Sequence, residues 1–212
     1  SGILANQYIE MEDCARWRQF EVDGGVVLLT SKGQEMVNSE KNVVALFKDL
    51  NNYKTSSLHG LFSTRKEIAN GGNGSVYQLA NREVVIKESN SGNSLYSALY
   101  RMDRLSTIAD RVTPQWMSVV DHLALVTTRK VEKEFMIMKK IDDGVTMQDL
   151  EMFVNDGHAR FPRMLSIMKE KFASITKSQL DSIRDQKNVG IERIYDYADS
   201  RGIRRTELLP DP

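Results

Sequence analysis

The residues best suited to chemistry lie in Ala69-Asn70-Gly71-Gly72-Asn73-Gly74-Ser75-Val76-Tyr77. Glycines at a strand-turn-strand let backbone N–H groups approach an anionic ligand with no side chain in the way. Ten residues on, Val84-Val85-Ile86-Lys87 reads as a second strand ending in a lysine. Opposite a glycine turn, such a lysine presents a compact positive charge to phosphate oxygens. Taken alone, the same residues describe a hairpin tip and a solvated lysine. Other reactive side chains form no pattern. His59, His122 and His158 are widely spaced, and with one cysteine they make no recognisable metal site. Cys14 sits among Arg16, Trp17 and Arg18, where cations favour the thiolate, but no histidine or asparagine pattern completes a nucleophile. Arg129-Lys130, Lys139-Lys140 and the stretch 201–205 are basic, without the interleaved aromatics of a single-strand binder.

The elements that must position these groups follow from periodicity and punctuation. Val26-Val27-Leu28-Leu29 after Asp23-Gly24-Gly25 predicts a turn and a short buried strand. Val43, Val44, Phe47 and Leu50 predict a helix over 42–50. The strands 75–79 and 83–87 flank the turn Ala80-Asn81-Arg82 and predict a tight antiparallel hairpin. Asn93-Ser94 is placed to cap a helix carrying Leu95, Ala98, Leu99, Met102, Leu105 and Ile108 on one side. Strand-like runs follow at 116–120 and 134–141, separated by 123–128. The last third reads as helical: a short helix at 147–153, one starting at Pro162, and a long one from Ser178, whose spacing to Asp181 resembles a capping box, with Gly190 as an interruption. Strands in the middle and helices at the end predict an α+β fold with segregated layers.

The composition of the 212 residues is that of a folded domain: 41% hydrophobic and 27% charged, with no repeat or low-complexity tract. Lysine plus arginine balance aspartate plus glutamate, 29 against 29, so no global field draws the chain to nucleic acid or a membrane. The apolar runs are too short to span a bilayer, which needs roughly 20 residues. A single cysteine excludes an internal disulfide and points to a reducing cytoplasm. Ser1-Gly2 in place of an initiator methionine reads as a cloning scar on a piece of a longer protein.

The order of glycine turn, strand, turn, strand ending in lysine, then helix resembles the protein-kinase fold. That family has a G-x-G-x-x-G-x-V loop, a V-A-I-K strand, a helix glutamate that pairs the lysine, and a hinge after a fifth strand. Gly71 and Gly74 match the second and third glycines and Val76 the valine, whereas Ala69 departs from the first glycine. Residues 135–144 look like the fifth strand and hinge, with Met138 at the gatekeeper position and residues 139–141 facing the adenine edge. Residues 197–212 resemble the end of the helix before a catalytic loop and the loop itself. In that register Glu207 stands at the catalytic aspartate, Leu209 at the lysine and Pro212 at the metal-binding asparagine. The helix lacks a glutamate, and Asp103 is its acidic candidate.

The resemblance implies an antiparallel-sheet upper lobe over 61–144, the helical start of a lower lobe over 145–212, and an N-terminal extension over 1–60. It implies ATP and Mg2+ as cofactors. Gly71, Gly72, Gly74, Val76, Lys87, Asp103, Met138 and Lys140 would line the nucleotide site, and Lys87, Glu207 and Asp211 would be the catalytic candidates. It further implies transfer to a serine or threonine of a protein substrate, the chain itself being incomplete for catalysis. Its divergence and compactness are similar to kinases that pathogenic bacteria secrete into host cells. Two other readings remain: a pseudokinase or kinase-derived module that binds a partner protein without chemistry, with residues 1–60 as its partner surface, and a small α+β scaffold with a chance glycine hairpin.

Overall fold

A computed structural model describes residues 3–10, 16–39, 43–53, 60–71, 74–80, 82–90, 94–113, 119–129, 132–142 and 144–208. The expectations for Cys14, His59, Gly72, Asn81, Asn93 and Asp211, and for most of the run 116–120, lie outside the described residues. The elements in chain order are β1 (Ile3–Ile9), β2 (Trp17–Val22), β3 (Gly25–Leu29), α1 (Ser31–Ser39), α2 (Val43–Asn51), a 3-10 turn (Leu61–Thr64), β4 (Lys66–Gly71), β5 (Gly74–Gln78), β6 (Val84–Ser89), α3 (Tyr96–Val112), β7 (His122–Thr127), β8 (Glu134–Lys139), α4 (Met147–Asp156), α5 (Pro162–Lys171), α6 (Lys177–Ser200) and a second 3-10 turn (Arg205–Glu207).

All eight strands form one antiparallel sheet, in the order β1-β2-β3-β7-β8-β6-β5-β4. The fold is therefore α+β. The first sixty residues supply three of those strands, because β3 pairs with β7 from Val26↔Thr127 to Leu29↔Ala124. Expected as an extension, they are part of the sheet. Of the run expected as a strand at 116–120, the described Val119 and Val120 are outside any strand, and the apolar run read as a separator is β7. Its side chains are covered on both faces, which gives an unbroken apolar run in place of alternation.

Each sheet face has its own cover. One presents Phe20, Val27, Leu29, Ile86, Val126, Phe135 and Ile137 to Leu46, Phe47 and Leu50 of α2 and to Phe62 of the first 3-10 turn. Arg65 lies over the rings of Tyr53, Phe62 and Tyr77 at that cluster's edge. The other face presents Trp17, Leu28, Leu125 and Met136 to Leu95 and Leu99 of α3. Thr30 caps α1, accepting the Gly33 N–H at 3.1 Å, while its own N–H reaches the Leu123 carbonyl at 3.0 Å. A Cβ at Gly33 would stand 2.0 Å from that carbonyl oxygen, so only glycine lets α1 approach β7 so closely.

Three helix boundaries differ from expectation. Helix α3 runs to Val112, and at its start the Glu134 carboxylate accepts the Leu95 N–H while Ser94 Oγ accepts the Tyr96 N–H at 3.3 Å. The capping box of α6 is Thr176 with Gln179, at 3.1 and 2.9 Å, not Ser178 with Asp181. Gly190 does not interrupt α6; it is buried in a continuous helix of 24 residues. Pro162 does occupy the first turn of α5. No helix among the described residues is long and apolar enough to cross a membrane.

Candidate functional site

Strand register lays the expected residues in rows on the α3-covered face. Val76 pairs with Lys87, Lys87 with Met136, and Met136 with Leu125, so these four side chains share one face. The next row runs Gln78, Val85, Met138, His122. Beneath that second row lies a cavity of about 520 Å³. Ile68 of β4, Val85, Met138 and Met102 of α3 give it apolar walls; residues 139–141 form one rim and Arg163 of α5 the other. A mostly apolar cleft with a few convergent polar groups is the usual form of a small-molecule site.

The rim after β8 is held by its backbone. The Lys139 N–H donates to the Asp121 carbonyl and the Lys140 N–H to the Glu83 carbonyl, both at 2.8 Å. Ile141 follows, 57% exposed, and its backbone N–H and carbonyl have no partner among the described residues. Such a donor and acceptor on one residue at a cavity mouth match the hydrogen-bonding edge of a planar base. Lys140 also meets Asp142 at 3.4 Å.

Gly71 and Gly74 face each other across the hairpin. Their roles differ. Gly74 has φ +149°, and a Cβ there would lie 2.1 Å from the Glu88 carbonyl oxygen, so the fold itself requires glycine. A Cβ at Gly71 would meet nothing within 4 Å. No described residue crowds that position.

The Lys87 side chain is half-buried and has no hydrogen bond or ion pair among the described residues. Its ammonium lies close enough to His122 to disfavour a second positive charge there. Asp103, expected as its partner, accepts the Trp17 indole N–H at Oδ2, 2.6 Å away. That bond ties α3 to β2, and the Trp17 ring packs edge-on against Tyr96 and Tyr100 of the same helix. A second tie holds α3 to α1. Lys32 Nζ reaches Asp121 at 2.7 Å, Asp110 at 3.0 Å and the Ser106 hydroxyl at 3.3 Å. Burial lowers the Lys32 pKa, but the two carboxylates outweigh it and leave the amine above its ordinary value.

Glu207 is engaged locally. Its carboxylate accepts the Arg204 N–H at 2.9 Å and lies 3.4 Å from the Arg204 guanidinium, closing the second 3-10 turn. The backbone bond holds its pKa below the usual carboxylate range, which makes it a poorer proton acceptor. Among the described residues no cluster of three or more histidine, cysteine, aspartate or glutamate side chains could hold a metal ion, and no carboxylate lines the cavity. These residues do not fit a magnesium site.

The structure thus brings Lys87, Val76 and Met138 onto the face above one cavity, with Met138 and Lys140 lining it. It directs Asp103 to Trp17 and Glu207 to Arg204. Sequence reasoning missed Ile68, Val85, Met102, His122 and Arg163, which meet only through sheet pairing and helix packing. For His122 there was a signal: it is the one ionisable residue in the strand His-Leu-Ala-Leu-Val-Thr. Comparison with protein-family models, with curated proteins and with solved structures gives no match.

Proposed function

We propose that this chain is a protein-kinase-like nucleotide-binding domain whose ligand is ATP. The adenine lies in the apolar cavity against Val85 and Met138, its edge on the backbone after β8, and the phosphates pass under the β4–β5 hairpin toward Lys87. The observation that carries the reading is Lys87: a half-buried ammonium with no partner among the described residues, on the face above an apolar cavity of about 520 Å³. An unpaired charge held partly out of water favours an anion, and phosphate oxygens are the natural one beside a glycine hairpin. Element order supports the same reading, since β8 is the fifth strand counted from the hairpin and the cavity rim follows it directly.

Transfer of the terminal phosphoryl group to a serine or threonine hydroxyl of a protein is the activity the resemblance implies. It needs carboxylates for the metal and for the hydroxyl. Trp17 holding Asp103 and Arg204 holding Glu207 favour a second reading, a domain that binds nucleotide and a protein partner without transferring phosphate.

The test is calorimetric titration with ATP, with and without magnesium, of the protein and its Lys87→Ala variant. Saturable binding weakened about tenfold or more in the variant is expected, in line with the loss of one charge-assisted contact. No binding to the unmodified protein would refute the nucleotide reading. Incubation of the binding-competent protein with radiolabelled ATP and a mixed protein substrate then separates transfer from binding alone.

A further inference from the structure

The cavity holds one deeply buried ionisable side chain that the nucleotide reading leaves unused. His122 is 8% exposed, opens β7, and lines the cavity beside Met138, its partner in the sheet. Its Nδ1 lies 2.7 Å from the Val120 carbonyl oxygen. A carbonyl can only accept, so Nδ1 carries the proton, and in the neutral ring Nε2 is a bare acceptor. Burial holds its pKa below the ordinary imidazole value and so favours the neutral ring; the Lys87 ammonium pushes the same way, against the Val120 bond and Asp121. Nε2 has no partner among the described residues. Nε2 is thus an acceptor left open to a donor on a ligand in the cavity that His122 lines.

We infer that His122 selects the base, its Nε2 accepting a hydrogen bond from the exocyclic amine of adenine and rejecting the carbonyl that guanine carries at the same place. This rests on the nucleotide reading above. The walls formed by Ile68, Val85, Met102 and Met138 suit a flat aromatic ring and distinguish no purine from another. Discrimination therefore falls to the polar groups, the exposed Ile141 backbone at the mouth and, deeper in, the buried His122. Guanine would set two acceptors face to face unless the imidazole took a second proton, which Lys87 opposes. Sites built around a buried hydrogen bond discriminate strongly against ligands that leave it unmade.

Calorimetric titration with ATP and with GTP, on the unmodified protein and on His122→Phe, tests this. The unmodified protein is expected to prefer ATP by about 10- to 100-fold, and the variant by less than about threefold, chiefly through weaker ATP binding. A preference that His122→Phe leaves intact overturns the inference while the nucleotide reading stands. Absence of binding by either nucleotide to the unmodified protein overturns both. Nitrogen NMR of the protein with labelled histidine tests the contact with no substitution to disturb the fold. The His122 Nε2 resonance is expected to move when the protein is saturated with ATP. It should stay in place with purine riboside triphosphate, which lacks the amine. Equal responses to the two would overturn the assignment.

Discussion

Asp149 is a buried carboxylate with four side-chain hydrogen bonds, and Asp149→Asn tests what they contribute. The residue lies in the first turn of α4, fully buried, and holds the segment that leads into α5. Its two oxygens accept Arg160 Nε at 3.1 Å, an Arg160 terminal nitrogen at 3.2 Å, the Arg160 backbone N–H at 3.3 Å and the Thr146 hydroxyl at 2.6 Å. The Arg160 bonds, outweighing burial, hold the carboxyl at about 2, from an ordinary 3.8. A shift of nearly two units corresponds to about 2.5 kcal/mol. Arg160 is itself 41% exposed, so water screens the pair and about 1–2 kcal/mol is the better figure.

The sign follows from linkage. A carboxyl with a depressed native pKa stabilises the fold fully above its unfolded value near 4, and that stability is lost as pH falls through about 2. Urea unfolding of the protein and of Asp149→Asn should differ by about 1–2 kcal/mol between pH 5 and pH 7. The pH-dependent part of the gap should close below pH 4, with roughly half of it gone at pH 3. A gap that holds steady down to pH 3, or that widens as pH falls, would refute the reasoning.

Four further outcomes are expected. Trp17→Phe leaves the buried Asp103 carboxylate without its indole donor and should lower stability by about 1–3 kcal/mol in urea unfolding. Asp103→Asn should change ATP affinity by less than about threefold by calorimetry, because the structure gives Asp103 to Trp17; a tenfold loss in a variant of intact fold would restore Asp103 as the partner of Lys87. In the hairpin, Gly74→Ala should cost more than about 2 kcal/mol, through the clash with the Glu88 carbonyl and the positive φ. Gly71→Ala should leave the melting temperature in place and weaken ATP binding, and unchanged binding would show that no ligand lies against the hairpin there.

Local pattern carried much of the fold, and its failures share a cause. The strand at Val26-Val27-Leu28-Leu29, the helix around Phe47, the hairpin into Lys87 and the proline start of α5 are all set by residues a few positions apart. The place of the first sixty residues is set by β3 meeting β7, which brings Leu29 beside Ala124. No periodicity records a pairing of residues 95 positions apart. At the start of α6 the box closes two residues earlier than the Ser178–Asp181 spacing suggested. Gln179 closes the box because its side chain reaches back to the Thr176 N–H, and Asp181 is one methylene shorter. Lys87 and Met138 were legible as residues of strands, and Gly74 as a turn glycine, because each is set by its immediate neighbours in sequence. Asp103 was legible as an acid, but its partner lies 86 positions away, and only packing decides between Trp17 and Lys87.

The same long-range contacts bear on how the cavity works. Helix α3 supplies Met102 to the cavity wall, so its position over the sheet sets the cavity's width. In the kinase pattern a lysine–glutamate pair would fix that helix. Here it is fixed from the other side: Trp17 holds Asp103, and Lys32 holds Asp110 and Ser106. Both anchors come from the first sixty residues, on strands and helices that also cover the opposite sheet face. Swinging α3 to bring Asp103 to Lys87 would break a buried hydrogen bond, part the indole from Tyr96 and Tyr100, and leave a buried aromatic donor without an acceptor. One ion pair with a half-exposed lysine returns less than that. The helix therefore stays where Trp17 holds it, Lys87 keeps no side-chain partner among the described residues, and the segment expected as an extension sets the width of the cavity.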